Sequence, residues 1–461
     1  MYSRYLPPLF PFGQIAFMIL SLGIIGIAIL VFPNRKRVLL SISVFIAAWQ
    51  GGLWLELIKT DIRLFDFVFL ALLIWNLNTK KVSVKYWKPH LRILMPWCLL
   101  ILWSIFSVSV AIDPNSARQG PVRFIIDLLF FITIIYSIKT PKDFRFLIIC
   151  LAFAIIGQSI LALIQFKFMG ITFGVIDDIR TNMWWRSRGT YRHPNHLGMF
   201  NLILIPIVIR GAISGLANKD RKLFYICSIS TLFGSIALIT TYNRGSWIGL
   251  AVGICVMIFL DLLTKKSKTK IYAMGFLVLA LSVGAVGSVK FGDVVVNRVF
   301  FDDQDRIFEG RQSLEAEGIV VVKQHYLLGV GYANQRYYGT QTFVHNLYIL
   351  ISAEIGVPGL LLFLWFLFEY MRLIRKAYRS KIDFVKNYSH GFVASFVGFI
   401  IASIPGPDFW INNGVQLYFW MAMAVVVSLN YFNGIAYQMK KVEQFKKLKL
   451  SILQPKLEQF N

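Results

Sequence analysis

The chain has 461 residues, 57% of them hydrophobic and 15% charged, with a formal net charge of +25. Soluble domains carry about 25% charged residues, so this composition excludes an ordinary soluble fold. No run of alternating segments of about ten residues supports a β-barrel. The positive charge does not mark a nucleic-acid binder, because it gathers in short links between apolar runs.

Apolar runs near 20 residues predict membrane-crossing helices at about 12–32, 37–57, 62–76, 91–111, 121–138, 145–166, 196–212, 222–240, 245–262, 271–290, 343–369, 388–405 and 413–434. These make 13 candidates, or 12 if the first two form a hairpin or the short third fails to cross. The expected fold is an all-α polytopic integral membrane protein of about 12–13 transmembrane helices, one membrane domain over 1–461. The first run is too long for a signal-peptide core and reads as a retained helix.

Basic links fix the orientation. KKVSVKYWKPHLR (80–92) holds five Lys/Arg and no acid, TKKSKTK (264–270) four Lys, and MRLIRKAYRSKIDFVK (371–386) six Lys/Arg against Asp383. Such links stay on the cytoplasmic side, as does the basic tail at 437–461. Residues 112–121, 167–195, 241–244, 291–342 and 406–412 then face outward. NRKR (34–37), also inside, leaves residue 1 outside. Trp184 and Trp185 suit a membrane interface, and 305–325 carries the pattern of an amphipathic helix lying over the membrane. The four cysteines fall inside apolar runs, without disulfide or metal-ligand spacing.

The outward segments hold the chemistry. Four of the six histidines (His193, His196, His325, His345) lie in them or at their edges, together with Arg180, Arg186, Arg188, Arg192, Arg298, Arg306, Arg311 and Arg336. Arg244 sits alone in TYNRGSW at the mouth of a span. Arginines placed against the topological rule need partners, and their planar forks match phosphate oxygens.

In RGTYRHPNHLGMF (188–200), Pro194 suits a first helical position with His193 near the cap. The outward helix N-terminus, Arg188 and Arg192 would together cradle a pyrophosphate. The same arginines would equally serve by pairing with Asp177, Asp178 or lipid phosphates. In VHNLYILISAEIGVPGLL (344–361), His345 stands where an imidazole takes a proton from an acceptor hydroxyl, or simply caps the helix. Glu354, nine residues on, faces the opposite side of a continuous helix and suits a helix–helix contact. Gly356, Pro358 and Gly359 predict a kink. A metal site from the histidines and FDDQDR (301–306) is weighed but not assigned, since no H-E-x-x-H or Cys pair supports it.

RSRGTYRHPN (186–195), TYNRGSWIGL (241–250), EGRQSLEAEG (309–318), HYLLGVG (325–331) and VHNLYILISAEIGVPGL (344–360) together resemble the O-antigen ligase and O-antigen polymerase superfamily of bacterial envelope glycosyltransferases. The resemblance implies an inverting, metal-independent, cofactor-free transferase in the bacterial plasma (inner) membrane, with its site on the extracytoplasmic face. Its donor would be a glycan on undecaprenyl pyrophosphate, and its acceptor a glycan or lipid A core. By the same resemblance His345 is the catalytic residue and Arg188, Arg244 and Arg311 bind pyrophosphate, with Arg192 beside them. His193, Asn195, Asn346 and Glu354 support them. Leu314 and Glu315 depart from the family, which carries an aromatic after the arginine matching Arg311.

The alternative is a secondary transporter or permease for a small anion or lipid-linked glycan. It would require ionisable residues in mid-span. Mid-span regions read as almost devoid of them, Glu354 being the main exception.

Overall fold

The structure, a computed structural model, describes residues 34–48, 52–55, 60–79, 91–168, 186–264, 304–339 and 342–434. Helices are numbered over these residues. The expected spans 12–32 and 271–290, Trp184 and Trp185, the links at 80–90 and 265–270, and the tail lie outside them.

The early chain is α1 (Arg35–Ile46), a hairpin of β1 (Gly52–Leu55) and β2 (Thr60–Arg63), and α2 (Leu64–Thr79). The span expected at 37–57 is therefore not a helix throughout. It stops at Ile46, ahead of the Gly51–Gly52 pair, which favours non-helical backbone. At 16 residues α2 is short for a crossing of about 20 residues.

Next come α3 (Leu91–Ser107), α4 (Pro114–Ser137), α5 (Pro141–Lys167), α6 (Pro194–Ala217), α7 (Arg221–Thr240) and α8 (Arg244–Leu262). After the segment holding α9 (Gln304–Gln324) follow α10 (Leu347–Tyr378), α11 (Asp383–Ala402), the one-turn α12 (Asp408–Ile411) and α13 (Asn413–Gly434). Eight helices among the described residues are long and apolar enough to cross a membrane. Sequence signals set their starts. Thr140 and Asp143 form a capping box ahead of α5, while Asp113 and Asp220 cap α4 and α7. α11 falls outside the eight because Asp383, Lys386 and His390 occupy its first turns, although it packs deep against α6, α8 and α10. The all-α polytopic reading holds, with the hairpin as a small addition.

α6 forms the axis. Its apolar window is 100% buried, enclosed by α5, α7, α8, α11 and α12. On another side α13 brings Trp420 against Trp97, Phe131 and Phe366, with ring centroids 4.7, 5.2 and 5.1 Å apart. With lipid as apolar as leucine, such close packing, rather than water exclusion, holds the helices together.

α10 is broken where the glycines predict. Ile355 and Gly356 leave the helical region, Gly356 at φ 75°, ψ 170°. The backbone groups released there find partners. Val330 N–H donates to Ala353 O (2.9 Å), Gly331 N–H to Glu354 O (2.8 Å), and Val357 N–H to Tyr326 O (2.8 Å). Trp103 Nε1 caps Ile355 O at 2.9 Å and Ser107 Oγ caps Glu354 O at 2.8 Å. Loop 325–331 thus threads into the break, and this is why it carries glycine. A Cβ on Gly329 would collide with the backbone of Glu354, and one on Gly356 with Leu327 O.

Candidate functional site

The starts of α6, α8 and α10 meet at one end of the bundle. Ser187 N–H donates to Thr240 O at 3.0 Å, and Asn243 Nδ2 to Asn195 O at 3.3 Å, tying the approach to α6 to that of α8. Leu347 N–H reaches Ser403 O at 3.1 Å, tying the start of α10 to the end of α11.

The approach to α6 is rigid. Gly189 adopts φ +60°, and Gln165 braces its backbone on both sides, accepting from the N–H groups of Arg188 and Gly189 and donating to Gly189 O at 2.9 Å. Gln158 and Thr190 bond beside it at 2.9 Å. Arg186 donates to Thr241 O and Asn195 Oδ1, both at 2.8 Å. Asn195 thereby holds an arginine in place. Arg188 contacts Arg192 O at 3.4 Å, and Arg192 is exposed.

His193 is the N-cap of α6, its Nδ1 accepting Asn195 N–H at 3.1 Å. That bond assigns the ring proton to Nε2. Burial first, then Arg186, His345 and Arg188, depresses its pKa to about 3, so His193 is a neutral acceptor. The expected free amides at this helix start are consequently occupied: Pro194 has no N–H, and Asn195 and His196 donate to His193. Asn346 likewise caps α10, accepting from Tyr348 and Ile349 at 3.0 and 3.2 Å. Arginines, not helix amides, give this end its positive charge.

Arg244 is the first residue of α8, behind the Asn243 cap. Arg311 lies on α9 with its side chain partly exposed. Partial burial and the neighbouring Arg244 both lower its affinity for a proton. His345 is half-buried, and its Nδ1 is enclosed with no hydrogen-bond partner among the described residues. Burial, then Arg311, holds its pKa below the ordinary value. His193, His345, Arg311 and Arg244 thus form a chain of electrostatic neighbours, with Arg186 and Arg188 beside His193.

Glu354 stands apart from this set. It is 1% exposed, and Trp410 Nε1 donates to its Oε2 at 2.7 Å. This is the expected helix–helix contact, made to the turn that carries α12.

Asp408 is a member that sequence reasoning missed. It is buried, 3.7 Å from His196 Nε2. Burial pushes its carboxyl up to about 7, while Arg186 and Arg311 pull it back. The available signal was an acid placed alone in the short turn IPGPDFW between two apolar runs. Sequence reasoning also underrated charge within the bundle. Arg210, Asp261 and His390 meet inside it, tolerated because they pair with one another. Among the described residues no group of three His, Cys, Asp or Glu side chains is arranged to hold a metal.

The fold and site define a multi-pass helical membrane protein with a cationic, histidine-bearing cluster at one end of its bundle. Residues 229–364 match the family described as O-antigen ligase, so the resemblance drawn from the motifs is borne out and supports an O-antigen ligase-type role in glycan handling. The matched stretch is less than a third of the chain and contains Arg244, Arg311, His345 and Glu354. No curated protein matches the chain.

Proposed function

We propose that the protein is a membrane glycosyltransferase that moves or polymerises a glycan carried on undecaprenyl pyrophosphate at the outer face of the bacterial plasma membrane. The observation that carries this reading is the pairing of His345, with its enclosed Nδ1 unpartnered among the described residues, with the arginine set at the same end of the bundle.

The acceptor hydroxyl oxygen attacks the anomeric carbon and inverts it. His345 takes the hydroxyl proton, for which it must begin neutral, and its depressed pKa favours that state. The bond between that carbon and the pyrophosphate oxygen breaks, and its electron pair leaves with pyrophosphate. Arg188, Arg244 and Arg311 stabilise the departing charge, with Arg192 at the rim. Fixed charges are most effective for this in a partly dry site. Arg186 is held by Asn195, and His193 shapes the approach to α6. The transporter alternative gains little from the charges inside the bundle, because Arg210 and Asp261 neutralise each other.

The test uses purified protein, a synthetic undecaprenyl-pyrophosphate-linked repeat unit, and products separated by size, with and without lipid A core. A ladder from donor alone identifies a polymerase. Transfer only in the presence of core identifies a ligase. No donor consumption by folded, lipid-binding protein refutes the proposal.

A further inference from the structure

At the end of the bundle away from the site, three charged or polar side chains meet in the interior. Arg210 of α6 binds Asp261 of α8 (Nη2 to Oδ2, 2.5 Å), and His390 Nδ1 of α11 lies 2.7 Å from Asp261 Oδ1. Asn387 Oδ1 accepts from Arg210 at 3.3 Å, and the Tyr378 ring sits 5.5 Å from that of His390. Arg210, Asp261 and His390 are 0%, 1% and 1% exposed. Arg210 lies sixteen residues beyond Pro194, and Asp261 seventeen beyond Arg244. At the rise of a helix, both are about 25 Å from the site.

A second observation gives this cluster meaning. Between it and the site, α8 and α11 touch along small residues. A Cβ on Gly249 would lie 2.6 Å from Gly398 O, one on Gly398 2.7 Å from Gly249 O, and one on Gly253 2.5 Å from Ala394 O. Such a smooth contact has few knobs to fix one helix axially against the other. The three helices that share the cluster are the ones whose far ends build the site. α6 starts at His193, α8 starts at Arg244, and α11 runs into the turn bearing Asp408. Gly245, beside Arg244, packs against Pro405 of that turn.

We infer that Arg210, Asp261 and His390 form a register lock, positioning residues that fix the axial alignment of α6, α8 and α11 and so set Asp408 opposite His196 and Arg244 beside Arg311 at the site end. A slip of one residue moves a helix end by about 1.5 Å. It would also leave a charge unpaired in an apolar interior, which the pairing forbids. Misplacement by about 1 Å costs on the order of a hundredfold in rate. The lock's catalytic consequence rests on the proposed transferase activity.

Replacing a buried ionic set entirely by apolar side chains is often neutral or stabilising, which separates positioning from mere stability. The variant combining Arg210→Met, Asp261→Leu and His390→Leu is expected to keep or raise the parent's Tm. Its kcat on the undecaprenyl-pyrophosphate-linked repeat unit should fall at least tenfold, with donor KM little changed. A folded triple variant with the parent's kcat overturns the lock. His390→Leu and His390→Asn keep the Arg210–Asp261 pair and serve if the triple variant does not fold. Asn retains an N–H near the position of Nδ1, so it should restore most of the kcat that Leu loses, at similar Tm. Equal rates for the two also overturn the lock. A parent without transferase activity refutes the underlying function, whereas an active parent with an unimpaired variant refutes the lock alone.

Discussion

His196 Nε2 faces Asp408 Oδ1 across 3.7 Å, too far for a hydrogen bond, while its Nδ1 accepts from Asn412 Nδ2 at 2.7 Å. An amide nitrogen only donates, so the proton of the neutral ring sits on Nε2, aimed at the carboxyl.

The carboxyl of Asp408 makes stability depend on pH in a definite direction. Its folded pKa, about 7, lies above its ordinary value of 3.8 because burial disfavours the charged form. The resulting stabilisation is complete below about pH 4 and is lost as pH rises through 7. At most it amounts to about 4 kcal/mol. Asp408→Asn should therefore flatten the decline in Tm between pH 4 and 8, as read by thermal unfolding in detergent. A variant with the parent's decline would show that Asp408 is already ionised.

His345→Gln should reduce kcat by about a hundredfold or more, the usual contribution of a positioned acid or base, with little change in donor KM. Because burial and Arg311 hold its pKa down, the acid limb of the parent's rate profile should fall below the ordinary histidine pKa of about 6.5. Arg311→Gln removes one of those two causes. It should move that limb upward as well as slow the reaction, in pH–rate profiles of the two proteins. An unmoved limb would separate Arg311 from His345.

Arg244→Ala is expected to lower kcat by about 10²–10³, the scale for losing one fixed charge opposite a developing anion. Arg244→Lys keeps the charge but loses the planar fork, and should recover only part of the rate. Arg192, exposed at the rim, should matter less. Alanine there ought to raise donor KM modestly and leave kcat nearly intact.

Gly356→Ala and Gly329→Ala should destabilise the fold by more than about 2 kcal/mol each. Both glycines have positive φ, 75° and 68°, and both would drive a Cβ into backbone. Gly310, with open space around it, is the control. Alanine there should leave Tm unchanged or slightly raised, since α9 gains a better helix former.

The sequence disclosed the parts of this molecule that local chemistry controls. Pro194 and His193 announced the start of α6, the glycines after Glu354 announced the break in α10, and apolar length announced most of the helices. What it concealed depends on tertiary pairing. Asp408 reads as an ordinary acid in a short turn until folding buries it beside His196. Arg210, Asp261 and His390 lie far apart in the chain, so no spacing rule connects them. The amides of α6 looked available for an anion because the sequence does not show that the His193 ring turns back onto Asn195. The span expected at 37–57 was apolar enough to cross, but the helix ends at Ile46 and the chain from Gly52 pairs with Thr60–Arg63, a strand pairing that apolar length does not reveal.

The complete enclosure of α6 has a consequence for how the protein meets different membranes. Peripheral helices such as α8, whose apolar window is only 33% buried, leave an open apolar face that a bilayer would cover and that a change in its thickness would load. α6 touches only protein, so lipid has no direct purchase on it. The lipid-facing sides of its neighbours can adjust to the bilayer, while α6, tied to α8 and α11 through Arg210, Asp261 and His390, keeps its register. The bracket that Gln158 and Gln165 of α5 make around Gly189 and Thr190 leads directly into α6, and His193, as the N-cap of that enclosed helix, takes its position from protein rather than from lipid.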